Sequence, residues 1–590
     1  MSKRVSALAA AKTVQAWMEL EGSDTESEDG SVFSEVSDDE KSAPTEEIAD
    51  PDSNANSSSE SAADSDIDFE DVEQPSCQQD PTATYTARSG VTWSAAPPPP
   101  SRVRACNIRK SKEGPTGKAK LIEDEVDAFL CFFDETMLQS IVRYTNNYAR
   151  SYMIKKGKKA DDWSPIDEIE LKGIIGVLFL LGVYRSQHES LRSLWSPSTG
   201  RSIFMASFSR NRFEQVLAFL RFDNRADRLV RQKADKFAAF RDLWTKFISN
   251  CRNNYCVGDC VTIDEQLIPF RGRVSFRQYL PSKPDKYGMK LFLLVDCESA
   301  YTFNGVPYIG KENGQIRVGL AAHVVKTLCE PLHNSGVNVT TDNWFTSTQL
   351  AADLLLKNIT LVGTVRKNKP DIPQEFAADK KRVIGSSLFG FSNRQTMVSY
   401  VPKKSKAVVL LSTMHSDNDI DPETGKPEII LYYNKTKAGV DRVDQLCHNY
   451  SVQRRTKRWP LAYFYNTLNL SGVNSQVIYE AKFPEWEAGK KHRRRLYIEN
   501  LGMKLLQPWM DRRSKIVQLP KCTKLALQSC GFIKRPQPTT GEAAGERKRK
   551  RCHICPTSLD RKTADRCNNC GEPCCTDHKT VNVVCSYCNE

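Results

Sequence analysis

The chain has 590 residues, enough for several domains, and its formal net charge is +12. Between Glu19 and Glu73 stand 21 acidic residues against one basic residue, Lys41, so this segment carries −20 and the rest of the chain +32. The absence of an apolar signal core in Met1–Leu20 argues against a secretory leader. The longest apolar run, Ile174 to Val183, falls short of the ~20 residues that span a bilayer. A soluble, intracellular protein without a membrane partner is expected, and its 19 cysteines are then not expected to form disulfides.

The acidic segment cannot bury enough apolar surface to offset its ordering entropy, so residues 1–120 read as a disordered acidic tail and linker, with Pro97–Pro100 a stiff spacer. Residues 121–258 read as helical. Asp134 can cap the periodic run Met137, Leu138, Ile141, Val142. Ser164-Pro165 can open a second helix through Leu171, Ile174, Ile175, Leu178 and Leu181. Further helical patterns cover Phe213–Phe222 and Phe237–Ile248. From about Gly258 the texture turns to strands: Cys260–Ile263 ending at Asp264, Met289–Val295, Asn338–Thr341 ending at Asp342, and Ile359–Val365. Residues 370–427 are short and strand-like. Helical patterns return at Ala438–Tyr450 and Pro460–Tyr479, and residues 451–530 form a second helical region. A linker, 531–551, leads to a cysteine-rich end, 552–590. The pattern predicts a mixed α/β fold, a sheet covered by helices.

A carboxylate at the end of a buried strand is costly unless it is paired or binds a cation. Asp264 and Asp342 both occupy such positions. Asp441 and Asp444 share one helix face at i, i+3. Brought together, these acids would suit two Mg²⁺ ions, which activate a water or a 3′-hydroxyl and stabilise the leaving oxygen of a phosphoryl transfer. Taken singly, each aspartate is better read as a turn cap. The C-terminal run has paired spacings: Cys552-x2-Cys555, Cys567-x2-Cys570, Cys575-x2-His578 and Cys585-x2-Cys588. Eight such ligands make two tetrahedral zinc sites, whose metals would supply the folding energy of so short a segment. Cys574 is an alternative to Cys575, and His553 a weaker candidate. By spacing alone this module binds DNA or protein.

Basic runs fit a polyanionic partner, since phosphate neutralisation supplies most non-specific DNA affinity. Arg547-Lys548-Arg549-Lys550-Arg551 reads as a nuclear import signal, which places the chain in the nucleus. Arg454, Arg455, Lys457 and Arg458 precede Trp459, where a ring beside positive charge can stack on an unpaired base. Residues 490–495 and Arg512-Arg513 offer more phosphate contacts. Arg271, Arg273 and Lys283 lie close in sequence to Asp264 and could steer a DNA strand. Each run taken alone is more often a solvated face, and it is their number, with the net charge, that points to DNA.

Six ordered strings, TIDEQLIPFRGR, QYLPSKPDKYGMK, TTDNWFTS, LVGTVRKNK, YYNKTKAGVDRVDQ and KRWP, make the chain resemble the piggyBac family of DNA transposases from about residue 122 onward. The resemblance implies an RNase H-like catalytic core (259–369 and 428–450) with an insertion domain (370–427). It also implies a helical dimerisation and DNA-binding domain split between 121–258 and 451–530, and a C-terminal cross-brace zinc finger. Matched motif by motif, the metal-binding aspartates are Asp264, Asp342 and Asp441, with Asp444 in support and Trp459 near the cleavage site. The cross-brace implies interleaved pairing: Cys552, Cys555, Cys575 and His578 hold one zinc, and Cys567, Cys570, Cys585 and Cys588 the other. Implied cofactors are Mg²⁺ (or Mn²⁺) and two structural Zn²⁺. Implied partners are double-stranded DNA, as transposon terminal inverted repeats and a TTAA target, and a second copy of the chain. The expected reaction is strand nicking, hairpin formation and strand transfer. The alternative is a domesticated DNA-binding or chromatin protein that no longer transposes.

Overall fold

The computed structural model describes residues 80–99, 112–281, 283–310, 319–533, 549–567 and 571–580. Its first piece lies where composition placed tail and linker. Strands β1 (Thr84–Thr86) and β2 (Thr92–Ser94) form an antiparallel hairpin. Trp93 of β2 is 1% exposed, its indole N–H donates to Asp371 O at 3.1 Å, and Tyr85 packs edge-on against Phe376. Disorder up to residue 120 is therefore corrected for 80–99 and for 112–120, where a short strand and a 3-10 turn occur. Tyr85 and Trp93 bring β-propensity and apolar surface with a place to bury it. Residues 1–79 and 100–111 lie outside the described residues.

Helix α1 (Glu135–Lys155) starts at Asp134, whose carboxylate accepts the Met137 N–H at 3.1 Å. Helix α2 (Glu168–Val183) starts later than its Ser-Pro signal. Its cap is Asp167, which accepts the Glu170 N–H at 2.9 Å, and Ser164-Pro165 are an extended lead-in. An ionised cap three residues nearer the apolar run satisfies the orphan amides better than the hydroxyl does. Gly173 to Val183 are all buried, which accounts for the apolar run. Among the described residues no helix is long and apolar enough to cross a membrane. Helices α3 (Arg210–Phe219), α4 (Arg225–Ala234) and α5 (Arg241–Asn254) complete this layer.

The strands follow: β3 (Cys260–Pro269), β4 (Arg277–Tyr279), β5 (Tyr287–Asp296) and β6 (Thr302–Pro307). Helix α6 (Leu320–Cys329) leads to β7 (Asn338–Thr341), and α7 (Thr348–Leu355) to β8 (Thr360–Thr364). A meander of β9 (Ser387–Ser392), β10 (Gln395–Lys403) and β11 (Lys406–Ser412) comes next. All join one sheet in the order β1-β2-β9-β10-β11-β8-β7-β3-β5-β4, with β6 also on β5. Strand β5 runs antiparallel to β3, β4 and β6, whereas β7 is parallel to β3 and β8 parallel to β7. The meander enters through the antiparallel pair β8–β11. It has a small core of its own, Phe389, Phe391, Val398, Tyr400 and Leu410, closed by Ile429 and Ile430 of α8 (Glu428–Thr436).

Helices α9 (Gly439–Asn449), α10 (Trp459–Lys482), α11 (Arg493–Ser514) and α12 (Lys521–Ser529) close the fold. They pack back onto the first helical layer. Phe208 stacks on Trp509 at 5.0 Å, and Lys504 Nζ meets Glu125 Oε2 at 2.5 Å. Within the basic tract 490–495, Lys490, Lys491, His492 and Arg495 are exposed, whereas Arg493 and Arg494 are half-buried and engaged inside this layer. Arg494 donates to Gln476 Oε1 at 2.7 Å and to Leu446 O at 3.2 Å, and Arg493 meets Glu480 at 3.4 Å. Arg512 pairs with Asp167 at 2.6 Å. These side chains tie helices together and are not the free phosphate contacts expected of them.

Helices α2 and α11 approach closely because glycines meet. A Cβ on Gly176 would stand 2.5 Å from Gly502 O, a backbone atom that cannot yield. Gly176→Ala should therefore destabilise the fold by about 1–3 kcal/mol, despite the ~1 kcal/mol that alanine gains in helix propensity. Gly472→Ala, facing the side-chain ends of Ile498 and Phe179 at 3.2 Å, should cost less. Urea midpoints of the two variants check this, and equal midpoints would refute it.

Candidate active site

Asp264 lies in the middle of β3, not at its end, because β3 runs on to Pro269. The sequence signal stopped early since Glu265 and Gln266 interrupt the apolar run. Alternation puts Cys260, Thr262, Asp264 and Gln266 on one face of the strand. Asp342 directly follows β7, and the parallel register pairs Ile263 with Thr341. Asp264 and Asp342 are thus adjacent positions on adjacent strands. Asp264 Oδ1 accepts the Glu265 N–H at 2.7 Å, and Asp342 Oδ1 accepts Trp344 N–H at 2.9 Å and Phe345 N–H at 3.4 Å.

Burial pushes the Asp264 carboxyl well above the usual carboxylate range, reinforced by the charges of Glu265 and Asp342. Burial, with Glu265, likewise pushes Asp342 up to about 6 against the pull of its two amides. Two carboxyls held so far from their ordinary values mark a place short of positive charge. All the oxygens are hard donors, so the set fits a divalent cation such as Mg²⁺.

Helix α9 brings the remaining acids. Gly439, its first residue, lies so close to β3 that a Cβ would stand 2.9 Å from Thr262 Oγ1. Val440 and Val443 are fully buried on one side, which turns Asp441 outward with 66% of its side chain exposed. Asp444 points inward and accepts from Gln266 Nε2 at 2.5 Å. Gln266 Oε1 in turn accepts from Asn466 Nδ2 of α10 at 2.6 Å. Burial raises Asp444 to about 6, opposed by the Gln266 bond and by Lys283. Lys283 Nζ stands 3.8 Å from Asp441 Oδ1 and 3.5 Å from Glu265 O. The charges of Glu265, Asp264, Asp441 and Asp444 offset its burial and raise its pKa. On the other face of β3, Lys290 meets Glu265 at 3.9 Å and the Trp344 ring at 4.9 Å. Gln266, Asn466 and Lys290 were missed by sequence reasoning. Gln266 and Lys290 alternate correctly along their strands, but nothing local marks their partners.

The residues expected to bind DNA divide in two. Trp459 is 4% exposed and packs against Phe237 at 5.4 Å and Phe276 at 5.3 Å, so stacking on a base is corrected to a core role. Arg458 donates to the carbonyls of Leu217 and Ala218, each at 3.0 Å, and of Leu220, closing the C-terminal end of α3. Arg454 binds the carbonyls of Ser186 at 3.0 Å and Glu189 at 2.8 Å. Both arginines brace the backbone. Arg455, Lys457, Arg271 and Arg273 are exposed. Their loops touch: Gly272 abuts Lys457 O, and Gln453 Nε2 donates to Pro269 O at 3.1 Å.

In the C-terminal module Cys552, Cys555, Cys575 and His578 converge, all ligand atoms within 4.8 Å of one another. Among the described residues, no other group of three or more potential ligands does so, and the three aspartates span more than this. Cys555 and Cys575 sulfurs are 3.6 Å apart, and His578 Nδ1 is 3.5 Å from Cys555 and 3.3 Å from Cys575. A zinc tetrahedron with Zn–S bonds of about 2.3 Å has edges of about 3.8 Å, so the set fits that ion. Cys552 is drawn down to about 5: burial opposes this, but the N–H groups of Cys575, Cys555 and Ile554 outweigh it. Cys575, not Cys574, joins this group. His553 Nδ1 is engaged with Pro573 O at 2.8 Å instead. Of the second set Cys567 is buried, and Cys570, Cys585 and Cys588 lie outside the described residues. So do Arg547 and Lys548. Lys550-Arg551 pair with Lys562-Thr563 as a small strand of this module.

With this geometry in view, three comparisons bear on identity. A family model described as Transposase IS4 matches residues 124–476, a span that contains all four aspartates. A cryo-EM structure of a piggyBac transposase synaptic complex with hairpin DNA superposes with a TM-score of 0.72 at 34% identity, covering 81% of this chain and 100% of that one. The chain belongs to the piggyBac transposase family. The PiggyBac transposable element-derived protein 3 of Homo sapiens is 25% identical over 404 residues, 62% of this chain and 66% of its own length. Protein 2 of the same human series is 24% identical over 360 residues, 57% of this chain and 58% of its own. The matched region thus spans just under two thirds of the first relative and less of the second.

Two variants separate ligand from neighbour in the C-terminal module. Cys575→Ser should lose at least one equivalent of bound metal, and His553→Ala should retain the wild-type content. Elemental analysis of the purified proteins reads this, and metal retained in Cys575→Ser would overturn the assignment.

Proposed function

We propose that this transposase-family protein is a working enzyme: a divalent-metal-dependent DNA nuclease and strand transferase that acts as a dimer at TTAA sites. Asp264, Asp342 and Asp441 would hold the catalytic Mg²⁺ or Mn²⁺ ions. When bound, the ions polarise the scissile phosphate and lower the pKa of the attacking oxygen's proton. The observation that carries this reading is the adjacent pair Asp264–Asp342, whose carboxyls are raised by burial and by neighbouring negative charge, beside a helix that presents Asp441.

The chain's own residues do the rest. Gln266 and Asn466 fix Asp444, and through it the rotation of α9. Lys283 offsets the crowded negative charge and lies where a phosphate would approach. Exposed Arg271, Arg273, Arg455 and Lys457, on touching loops beyond the end of β3, would contact the phosphates of the bound strand. The strand order β6-β5-β3-β7-β8, antiparallel then parallel, supports an RNase H-like core. The packed helical regions on either side would serve dimerisation and DNA binding. The C-terminal module would carry two Zn²⁺ and read the transposon end, and the basic run before it would direct the chain to the nucleus. The full acid set at β3, β7 and α9 favours an active enzyme over a domesticated DNA-binding protein.

Incubation with a TTAA-flanked transposon end and Mg²⁺ should yield nicked and hairpin products. Asp264→Asn and Asp342→Asn should reduce them to background, and Gln266→Ala about 10–100-fold. An inactive wild type, or an aspartate variant that cuts normally, would end the catalytic proposal. Arg455→Ala with Lys457→Ala should weaken binding and lower the log–log salt slope by about 2. An unchanged slope would remove these residues from the DNA path.

A further inference from the structure

Nine of the described cysteines lie outside the C-terminal module. Cys131, Cys251, Cys329 and Cys447 are buried thiols, held neutral by loss of solvation. Cys260 and Cys297 differ, because they face each other. Cys260 opens β3 and Cys297 directly follows β5, one step beyond the last ladder pair, Val261 with Asp296. The Cys297 N–H donates to Cys260 O at 3.1 Å, and the two sulfurs stand 3.0 Å apart. Opposed positions on antiparallel strands have Cα atoms about 5.5 Å apart, inside the range that a disulfide spans. Neither side chain is fully buried.

What surrounds the pair connects it to the acids. Thr262, between Cys260 and Asp264 on the same face, has its hydroxyl 3.1 Å from Cys297 Sγ and donates to Thr436 O at 2.5 Å. Cys297 Sγ also donates to Thr436 O at 3.4 Å, and the Thr340 and Thr436 hydroxyls meet at 2.8 Å. Thr436 ends α8, and the next helix begins at Gly439, which rests on Thr262. The thiol pair therefore forms part of the seat for the first turn of α9, where Asp441 lies.

We propose that Cys260 and Cys297 are a dithiol–disulfide site whose oxidant is a small hydroperoxide, and that oxidation loosens the first turn of α9. Cys260 attacks. Cys297 Sγ donates to the Thr436 carbonyl, whereas Cys260 Sγ accepts from Asn338 Nδ2 at 3.9 Å, and the hydrogen bond from Cys297, against burial, draws the Cys260 thiol below its ordinary range. Cys297 is correspondingly held protonated. The Cys260 thiolate attacks one oxygen of the hydroperoxide, the O–O bond breaks, and the alcohol (water, for hydrogen peroxide) leaves with a proton, giving a sulfenic acid. The Cys297 sulfur then attacks the Cys260 sulfur. The S–S bond forms, the S–O bond breaks, and the hydroxyl leaves as water with the Cys297 proton. Two thiols and one hydroperoxide give one disulfide, one alcohol and one water. Closing the sulfurs to about 2.0 Å removes the Cys297 proton from Thr436 O and draws its sulfur from Thr262.

The test uses the full chain with its metals and does not depend on DNA cleavage. The protein is treated with one equivalent of hydrogen peroxide, alkylated and digested for mass spectrometry. The expected product is a Cys260–Cys297 cross-linked peptide pair, lighter by two hydrogens and split by dithiothreitol, with loss of both alkylated thiols. In Cys297→Ser, dimedone should trap Cys260 as sulfenic acid and no cross-link should form. If that variant does not fold, the wild-type cross-link decides. Two thiols that both alkylate fully after peroxide would overturn the site. Hydrogen exchange over residues 436–447 should rise on oxidation and return on reduction, and unchanged exchange in cross-linked protein would overturn the coupling to α9.

Discussion

Two half-buried carboxyls set side by side disfavour each other's charge, and this constraint organises the centre of the molecule. Asp264 and Asp342 are set next to each other by a parallel strand pair that leaves no freedom of register. Removing a carboxylate from water costs several kcal/mol unless something repays it. The fold answers with backbone amides and with lysines at the edge of the cluster. A divalent ion held by these carboxylates would add the positive charge that favours their ionised forms.

One face of β3 distributes this arrangement. Cys260 and Thr262 meet the end of α8, Asp264 sits beside β7, and Gln266 reaches both α9 and α10. Four alternate residues of one strand thus connect every element around the acids. Strand β3 is long because its register with β5 continues through Pro269, so the polar residues are carried on a rigid ladder and not on a loop. The same face links Cys297 to the start of α9, since Thr262 touches both Cys297 and Gly439.

Positive charge has two separate uses here. Arg454, Arg458, Arg493 and Arg494 satisfy carbonyls or side chains within the helical layers, where a guanidinium can close a helix end that water does not reach. Arg271, Arg273, Arg455 and Lys457 remain at the surface. Net charge cannot distinguish the two, because a guanidinium spent on a carbonyl still counts as +1.

Local physics made much of this protein legible from its sequence. The β7 strand leading into Asp342, the Asp134 cap, the span of α9 and the convergence of the Cys552-x2-Cys555 and Cys575-x2-His578 pairs are properties of short segments, and the structure carries each of them. The ordered motifs around the aspartates sufficed to name the family. Tertiary structure decided what depends on distant partners. It buried Trp459 and Arg458, moved the start of α2 to Asp167, and gave β1 and β2 a sheet edge to join. It chose Cys575 over Cys574, tied Asp444 to Gln266 and Asn466, and set Cys260 against Cys297. A side chain's partner across tens or hundreds of residues leaves no mark in periodicity or spacing, because it is fixed by how the elements pack and not by the segment that carries it.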